Sequence, residues 1–206
     1  AEADGLPGVV IDRFGDTAVI QANAAWADVH IDALTAALVE QTGVRHVLKN
    51  ASGRTRSLEG LDDVSGVLHG EAPSAPVQVP MNGAIYMADL TGGQKTGLFY
   101  DQRPNHAFAA NLSKGKRVLD VFAHVGGFSL AALANGASSA VAVDGSAPAL
   151  ELAQQGAEAM GVSDRFATRQ GDAFDILTAL RAEGEEFVVV ICDPPAFAPG
   201  KPALEA

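Results

Sequence analysis

One cysteine, Cys192, is all that the 206-residue chain contains, so an intramolecular disulfide framework is excluded. No apolar run approaches the ~18–20 residues that a helix needs to span a bilayer, and no membrane partner is expected. Basic residues are scarce too. Fourteen Lys and Arg stand against 25 Asp and Glu, a net charge of -11, which argues against a non-specific grip on a phosphate backbone, since that needs clustered cations. The richest basic stretch, Arg45, His46, Lys49, Arg54 and Arg56 with Lys95 and Arg103 further on, reads mainly as a solvated face, with a nucleic-acid groove as the lesser alternative. The start does not read as a secretory leader, and with one thiol the expected setting is the cytoplasm. What is present is a hydrophobic fraction of 48 %, enough at this length for a full α/β domain and a fraction more.

Two regions differ in pattern. From about Leu6 to Leu90 short strands alternate with turns: Val9–Arg13 and Thr17–Gln21 flank Gly15-Asp16, and Val77–Pro80 and Ala84–Met87 flank Met81-Asn82-Gly83, where Asn-Gly is a strong hairpin signal because both residues tolerate positive φ. A helix is expected from Ala25 to Gln41, stopped by Gly43, with Arg45–Lys49 as a strand after it. These elements predict a small α+β domain over residues 1–90.

From 91 to 206 the pattern becomes helix, strand, helix, strand. Helices are expected at Pro104–Leu112, Phe128–Asn135, Ala147–Met160 and Ala173–Arg181. Strands are expected at Arg117–Phe122, Ala140–Val143, Phe166–Arg169 and Phe187–Cys192. Such alternation predicts a parallel, doubly wound α/β sheet. The last strand is nearly all apolar, as in a strand covered on both faces, and fourteen residues follow it. A further neighbour is therefore expected, either from a longer polypeptide, the preferred reading, or from a partner subunit in a homodimer. Cys192 within that strand reads as a buried, unactivated thiol rather than a nucleophile, and Trp26 as core.

The chemistry concentrates at strand ends. Asp120 and Phe122 lead into the turn Ala123-His124-Val125-Gly126-Gly127 and the helix opened by Phe128, an arrangement that brings backbone amides to a helix N-terminus. Asp144 ends the next strand, twenty-four residues on, the spacing at which a carboxylate meets two ribose hydroxyls. Glycines that would face a pyrophosphate are replaced by an acid at Asp120. A cofactor bearing an ammonium group fits better than a dinucleotide, which points to S-adenosyl-L-methionine, with a nicotinamide cofactor a distant third reading. Asp172, ahead of Ala173, caps a helix or accepts from an adenine amino group. Asp193-Pro194-Pro195-Ala196-Phe197 leaves the last strand with oxygens facing the crevice, because proline cannot continue the ladder. Gly92–Arg103 lacks the P-loop spacing and reads instead as a lid over a polar ligand, carried by Lys95, Asp101 and Arg103. His124 is expected to wall the pocket.

Taken together, Gly92–Arg103 with its Gln94-Lys95-Thr96-Gly97 and Asp101-Gln102-Arg103 elements, the Asp120–Ser129 turn, Val143-Asp144, Gly171-Asp172, Asp193–Phe197 and Gly5–Asp16 resemble the bacterial class I S-adenosylmethionine-dependent methyltransferases of large-subunit ribosomal RNA, in particular the cytosine-5 enzymes of 23S RNA. The resemblance implies a Rossmann-like methyltransferase sheet, here incomplete, preceded by a small α+β domain. It also implies ribosomal RNA as partner and a cofactor pocket of Lys95, Asp101, Arg103, Asp120, Phe122, Gly126, Gly127, Phe128, Asp144, Asp172, Ala173 and Asp193. Relatives carry an N-terminal PUA domain and further strands after Asp-Pro-Pro, both expected to be missing here. Their attacking cysteine lies in a later motif, so the catalytic residue is expected beyond the chain and this chain alone to bind cofactor weakly without turnover. N-methylation of guanine or adenine, and a non-catalytic cofactor- or RNA-binding scaffold, are the alternatives.

Overall fold

The computed structural model describes residues 4–92 and 98–195. Lys95 and its neighbours Gln94, Thr96 and Gly97, and Ala196 and Phe197, lie outside the described residues. The chain divides into two compact units. The first comprises the described residues up to Val79 and those between Ala88 and Leu98, and the second Pro80–Met87 and the described residues from Phe99 on.

In the first unit β1 (Val9–Phe14) and β2 (Thr17–Ala22) pair antiparallel around Gly15-Asp16. β3 (His46–Lys49) runs parallel to β2, and β4 (Gly66–His69) antiparallel to β3, giving the order β1-β2-β3-β4. The helical stretch expected from Ala25 to Gln41 is two elements, α1 (Ala25–Val29) and α2 (Ile31–Thr42), parted at His30 with φ -99° and ψ 18°. Ala27, Ile31, Leu34 and Leu38 nonetheless all reach one core with Val9, Ile20 and Val47. Helical spacing kept their face common, and the irregularity left it intact. Val29 instead lies 78 % exposed. Trp26 is not core: it is 36 % exposed, with its indole Nε1 donating to the Pro7 carbonyl at 2.9 Å.

α3 (Arg54–Leu58) and β4 were not expected, because the polar, Gly- and Asp-containing run from Ala51 to Ser65 has no clear local period. Arg56 fixes this stretch from a distance. It is 1 % exposed, donating to the Ala22 carbonyl, to Asp28 Oδ1 at 2.9 Å and to the Asp62 carbonyl at 2.8 Å. Lys49 Nζ meets Asp28 Oδ1 at 2.9 Å, and Arg45 pairs with Asp16. Within the basic stretch, Lys49 and Arg56 are thus withdrawn from solvent against carboxylates of their own unit, while Arg45 pairs with Asp16 and stays exposed. Arg56→Ala should destabilise this unit by about 3 kcal/mol, since carbonyls and a carboxylate lose a buried charged partner. Arg56→Lys should recover less than half, because one ammonium cannot reach acceptors spread around a planar fork. Urea unfolding followed by fluorescence of Trp26, the single tryptophan, reads this unit, and an unchanged midpoint for Arg56→Ala would refute the role.

β5 (Val77–Met81) and β6 (Ala84–Ala88) form the expected hairpin, with Asn82 and Gly83 at φ 53° and 76°, the conformation a tight two-residue turn demands. In the second unit a 3-10 turn at Tyr100–Gln102 leads into α4 (Arg103–Leu112). Then come β7 (Arg117–Val121), α5 (Gly127–Ala134), β8 (Ser139–Asp144), α6 (Ala147–Ala159), β9 (Phe166–Gln170), α7 (Ala173–Ala182) and β10 (Val189–Cys192). The sheet is wholly parallel in the order β10-β7-β8-β9, as the alternating pattern predicted. β7 is central, and Val118, Leu119 and Val121 are buried.

Among the described residues β10 pairs with β7 alone. Val190 is 58 % exposed, and Cys192 is an exposed free thiol rather than a buried one. The expected burial of Cys192 is not found among the described residues, because an apolar run reports what a strand could bury, while exposure depends on what lies beside it. Among the described residues no helix is long and apolar enough to cross a membrane.

Candidate cofactor site

Every feature of the site begins where a parallel strand ends, the crevice in which such sheets bind ligands. β7 delivers Asp120, 1 % exposed, beneath the start of α5. Its Oδ2 accepts from the Ser129 amide at 2.9 Å, while Oδ1 receives no hydrogen bond from the described residues. Burial pushes the carboxyl up to about 6, the Ser129 amide and hydroxyl and the Phe128 amide pull the other way, and the Asp144 charge adds to the rise. A buried acid with one vacant oxygen calls for a cation or a donor.

Between β7 and α5 the backbone turns through left-handed Phe122 (φ 64°), His124 (φ 50°) and Gly126 (φ 78°). Two of the three are not glycine, and such conformations persist where the surroundings fix them. Here the Ala123 amide donates to the Val143 carbonyl at 3.0 Å and the His124 amide to Asp144 Oδ2 at 2.7 Å. His124 also meets Phe99 edge-on, ring centroids 5.7 Å apart.

Asp144, partly buried at the end of β8, accepts from the Ser146 amide on its other oxygen at 2.8 Å. Each oxygen keeps further lone pairs, so both could also accept a hydroxyl. The amide of Gly171, just past β9, donates to the Asp144 carbonyl at 3.1 Å, bringing the third strand end alongside. Asp172 caps α7, its Oδ1 accepting from Phe174 and Asp175 at 2.9 and 3.2 Å, and Ala173 is buried behind it. Asp193 is exposed beyond β10, its amide 3.4 Å from the Val121 carbonyl.

Asp120, Phe122, Gly126, Gly127, Phe128, Asp144, Asp172, Ala173 and Asp193 therefore gather around the ends of four neighbouring strands. Asp101 lies in the 3-10 turn before α4. Arg103 is directed to the hairpin, its Nε 3.4 Å from Asn82 Oδ1 and its carbonyl accepting from Asn82 Nδ2 at 2.9 Å. Two residues that sequence reasoning passed over also stand here. His106 on α4 is 6 % exposed, and fully buried Tyr86 on β6 donates its hydroxyl to the Gly127 carbonyl at 2.9 Å. The small apolar neighbours Ala107, Ala109 and Ala110 are the signal that could have marked His106 as inward-facing.

The space over the paired glycines is already filled. A Cβ on Gly126 would come within 3.1 Å of Ala153 Cβ, and one on Gly127 within 2.7 Å of His106 Nε2. Their smallness serves the packing of α4 and α6 against the turn. The donor set still fits an S-adenosyl group: an unsatisfied buried acid for an ammonium, a two-oxygen acceptor for vicinal hydroxyls, and helix N-terminal amides between them.

Comparison with known proteins agrees. A family model described as S-adenosylmethionine-dependent methyltransferase matches residues 28–205. The chain is 40 % identical over 207 residues to ribosomal RNA large subunit methyltransferase I of Aeromonas hydrophila, covering 99 % of this chain and 52 % of the relative. It is 41 % identical to the protein of the same name from Vibrio parahaemolyticus, with the same coverage. The chain thus spans about half the length of the curated relatives it matches. Among solved structures, a chain described as a methyltransferase complexed with SAH superposes with a TM-score of 0.78 at 26 % identity, covering 93 % of this chain and 49 % of that one. A Streptococcus mutans protein described as a SAM-dependent methyltransferase gives 0.77 at 26 % identity, covering 91 % and 48 %. With the family model matched across most of its length and the acids of the crevice set at adjoining strand ends, the chain belongs to the S-adenosylmethionine-dependent methyltransferases.

Proposed function

We propose that this chain supplies the cofactor site of an enzyme that methylates large-subunit ribosomal RNA, at C5 of a cytosine. The observation that carries the cofactor part is the pair of acids at neighbouring strand ends, Asp120 with a buried oxygen that no described residue hydrogen-bonds and Asp144 with each oxygen accepting one backbone amide and keeping further lone pairs. The RNA part rests on the names of relatives about 40 % identical over nearly the whole chain.

Asp144 would accept from the ribose hydroxyls, Asp120 would face the ammonium, and Phe122, Gly126, Gly127 and Phe128 would form the wall between them. Asp172 and Ala173 would border the adenine, Asp101 would stand toward the polar end, and Asp193 would face the target base. Bound S-adenosylmethionine supplies an electrophilic methyl group. The protein's part is to hold it with water excluded and in line with its acceptor. Methyl transfer to cytosine C5 requires a thiolate to add to C6 first so that C5 becomes nucleophilic, the thiolate leaving again as the C5 proton is lost, and that role is not assigned to Cys192, whose position at the end of β10 precedes the Asp-Pro-Pro segment.

The enzyme to which this chain supplies the cofactor site, incubated with methyl-labelled S-adenosylmethionine and unmodified large-subunit ribosomal RNA, is expected to yield 5-methylcytidine on digestion of the RNA to nucleosides, whereas the 206-residue chain alone is expected to bind cofactor without turnover. Label on an exocyclic or ring nitrogen of guanine or adenine would replace the C5 assignment. Label on no RNA, with cofactor still bound, would point to a scaffold.

A further inference from the structure

Gly127 has no backbone reason to be glycine. It is the first residue of α5 and, unlike Gly126 before it, has no positive φ, so alanine would favour the helix there. What bars a side chain is His106, whose Nε2 and Cε1 would lie 2.7 and 2.8 Å from a Cβ at that position. The imidazole is not free to swing away. It is 6 % exposed, edge-on to Phe128 with centroids 4.5 Å apart, and 6.4 Å from the ring of Tyr86.

The buried Nδ1 of the ring has no hydrogen-bond partner among the described residues. Burial lowers the His106 pKa, opposed by the charges of Asp193 and Asp101, so near neutral pH the ring is an uncharged wedge. Tyr86 completes the arrangement through its bond to the Gly127 carbonyl. Asp120 holds α5 from beneath through the Ser129 amide, while His106 and Tyr86 hold the same first turn from the side of α4 and β6.

We infer that His106 is a positioning residue for the cofactor site, fixing with Tyr86 where the first amides of α5 stand, and that Gly127 is glycine to admit this imidazole rather than to admit the cofactor. The inference rests on the cofactor reading of the turn.

A size-swap cycle tests it, with S-adenosylmethionine Kd by calorimetry and Tm measured on the wild type, Gly127→Ala, His106→Ala, the double variant and Tyr86→Phe. Gly127→Ala is expected to weaken binding about tenfold and lower Tm, whereas in the His106→Ala background the same change should cost at most about twofold, the non-additivity of residues in contact. Tyr86→Phe should weaken binding about threefold to tenfold, the cost of one lost hydrogen bond. A purely structural role would shift Tm and leave the Kd of the folded protein unchanged, which would overturn the positioning role. A double variant with Tm restored to that of His106→Ala but affinity as poor as Gly127→Ala would show that the cofactor needs the space. If the wild type gives no heat with S-adenosylmethionine while the Tm coupling persists, the cofactor reading fails, and only the steric pairing stands.

Discussion

Replacing Asp144 with alanine is expected to weaken S-adenosylmethionine binding by about a hundredfold or more, since two charge-assisted hydrogen bonds worth about 1.5–3 kcal/mol each would be lost. The substitution acts twice. It removes the acceptor for the ribose hydroxyls, and it releases the His124 and Ser146 amides that the carboxylate now orders at 2.7 and 2.8 Å. Asp144→Asn should fall between, because one amide oxygen can still accept while the NH2 group faces a donor. Calorimetric titration decides the matter, and equal heats for wild type and Asp144→Ala would remove Asp144 from the pocket.

Asp120→Asn should have two effects of opposite sign. In the folded protein the carboxyl is raised from 3.8 to about 6 by burial, so the native state holds its proton more tightly than the unfolded chain does. Stability is therefore lost as pH rises from about 4 through 6, and above that window the ionised group costs on the order of 1–3 kcal/mol. Removing the charge should stabilise the cofactor-free protein at pH 7.5 by that order and leave it nearly unchanged at pH 4. Cofactor affinity should move the other way, at least about tenfold weaker, because a neutral amide does not balance an ammonium. In the wild type, affinity should fall below pH 6 by up to about tenfold per pH unit as the carboxylate takes up its proton. Urea midpoints and Kd across pH 4 to 8 test both. A destabilised variant at pH 7.5, or a wild-type Kd flat between pH 5 and 7, would contradict the assignment.

This coexistence of cost and use is common at binding sites, where a group that is poorly satisfied without its ligand is what the ligand satisfies. Asp120 shows how far the sequence could go. An acid at the end of an apolar strand, ahead of a Gly-Gly turn, was legible as a cofactor feature from residue order, and Asp144 from its spacing. The vacancy of Oδ1 and the raised pKa were not legible, because both depend on how completely α5 closes over β7. Asp172 is a similar case: its helix cap was foreseeable from position, and the cap is what the structure shows.

Elsewhere the limits follow the distance between partners. Arg56 reads in sequence as one more cation of a basic stretch, yet it is among the largest fully buried side chains, because Ala22 and Asp28 reach it from about thirty residues away. His106 and Gly127 were separately visible as a helix residue and a turn glycine, while their mutual exclusion of volume exists only once α4 lies against α5.

The sequence by itself determined the alternation of strand and helix, the Asn82-Gly83 turn, the parallel character of the second unit's sheet and the placement of acids at strand ends. These are set by periodicity and backbone preference over a few residues. The tertiary structure alone decided that Lys49 and Arg56 would be drawn out of solvent against carboxylates, and that Arg45 would pair with Asp16 while staying exposed. It also decided that the paired glycines would make room for protein side chains. Those outcomes depend on which distant surfaces meet, and burial and charge pairing are properties of the meeting rather than of either residue.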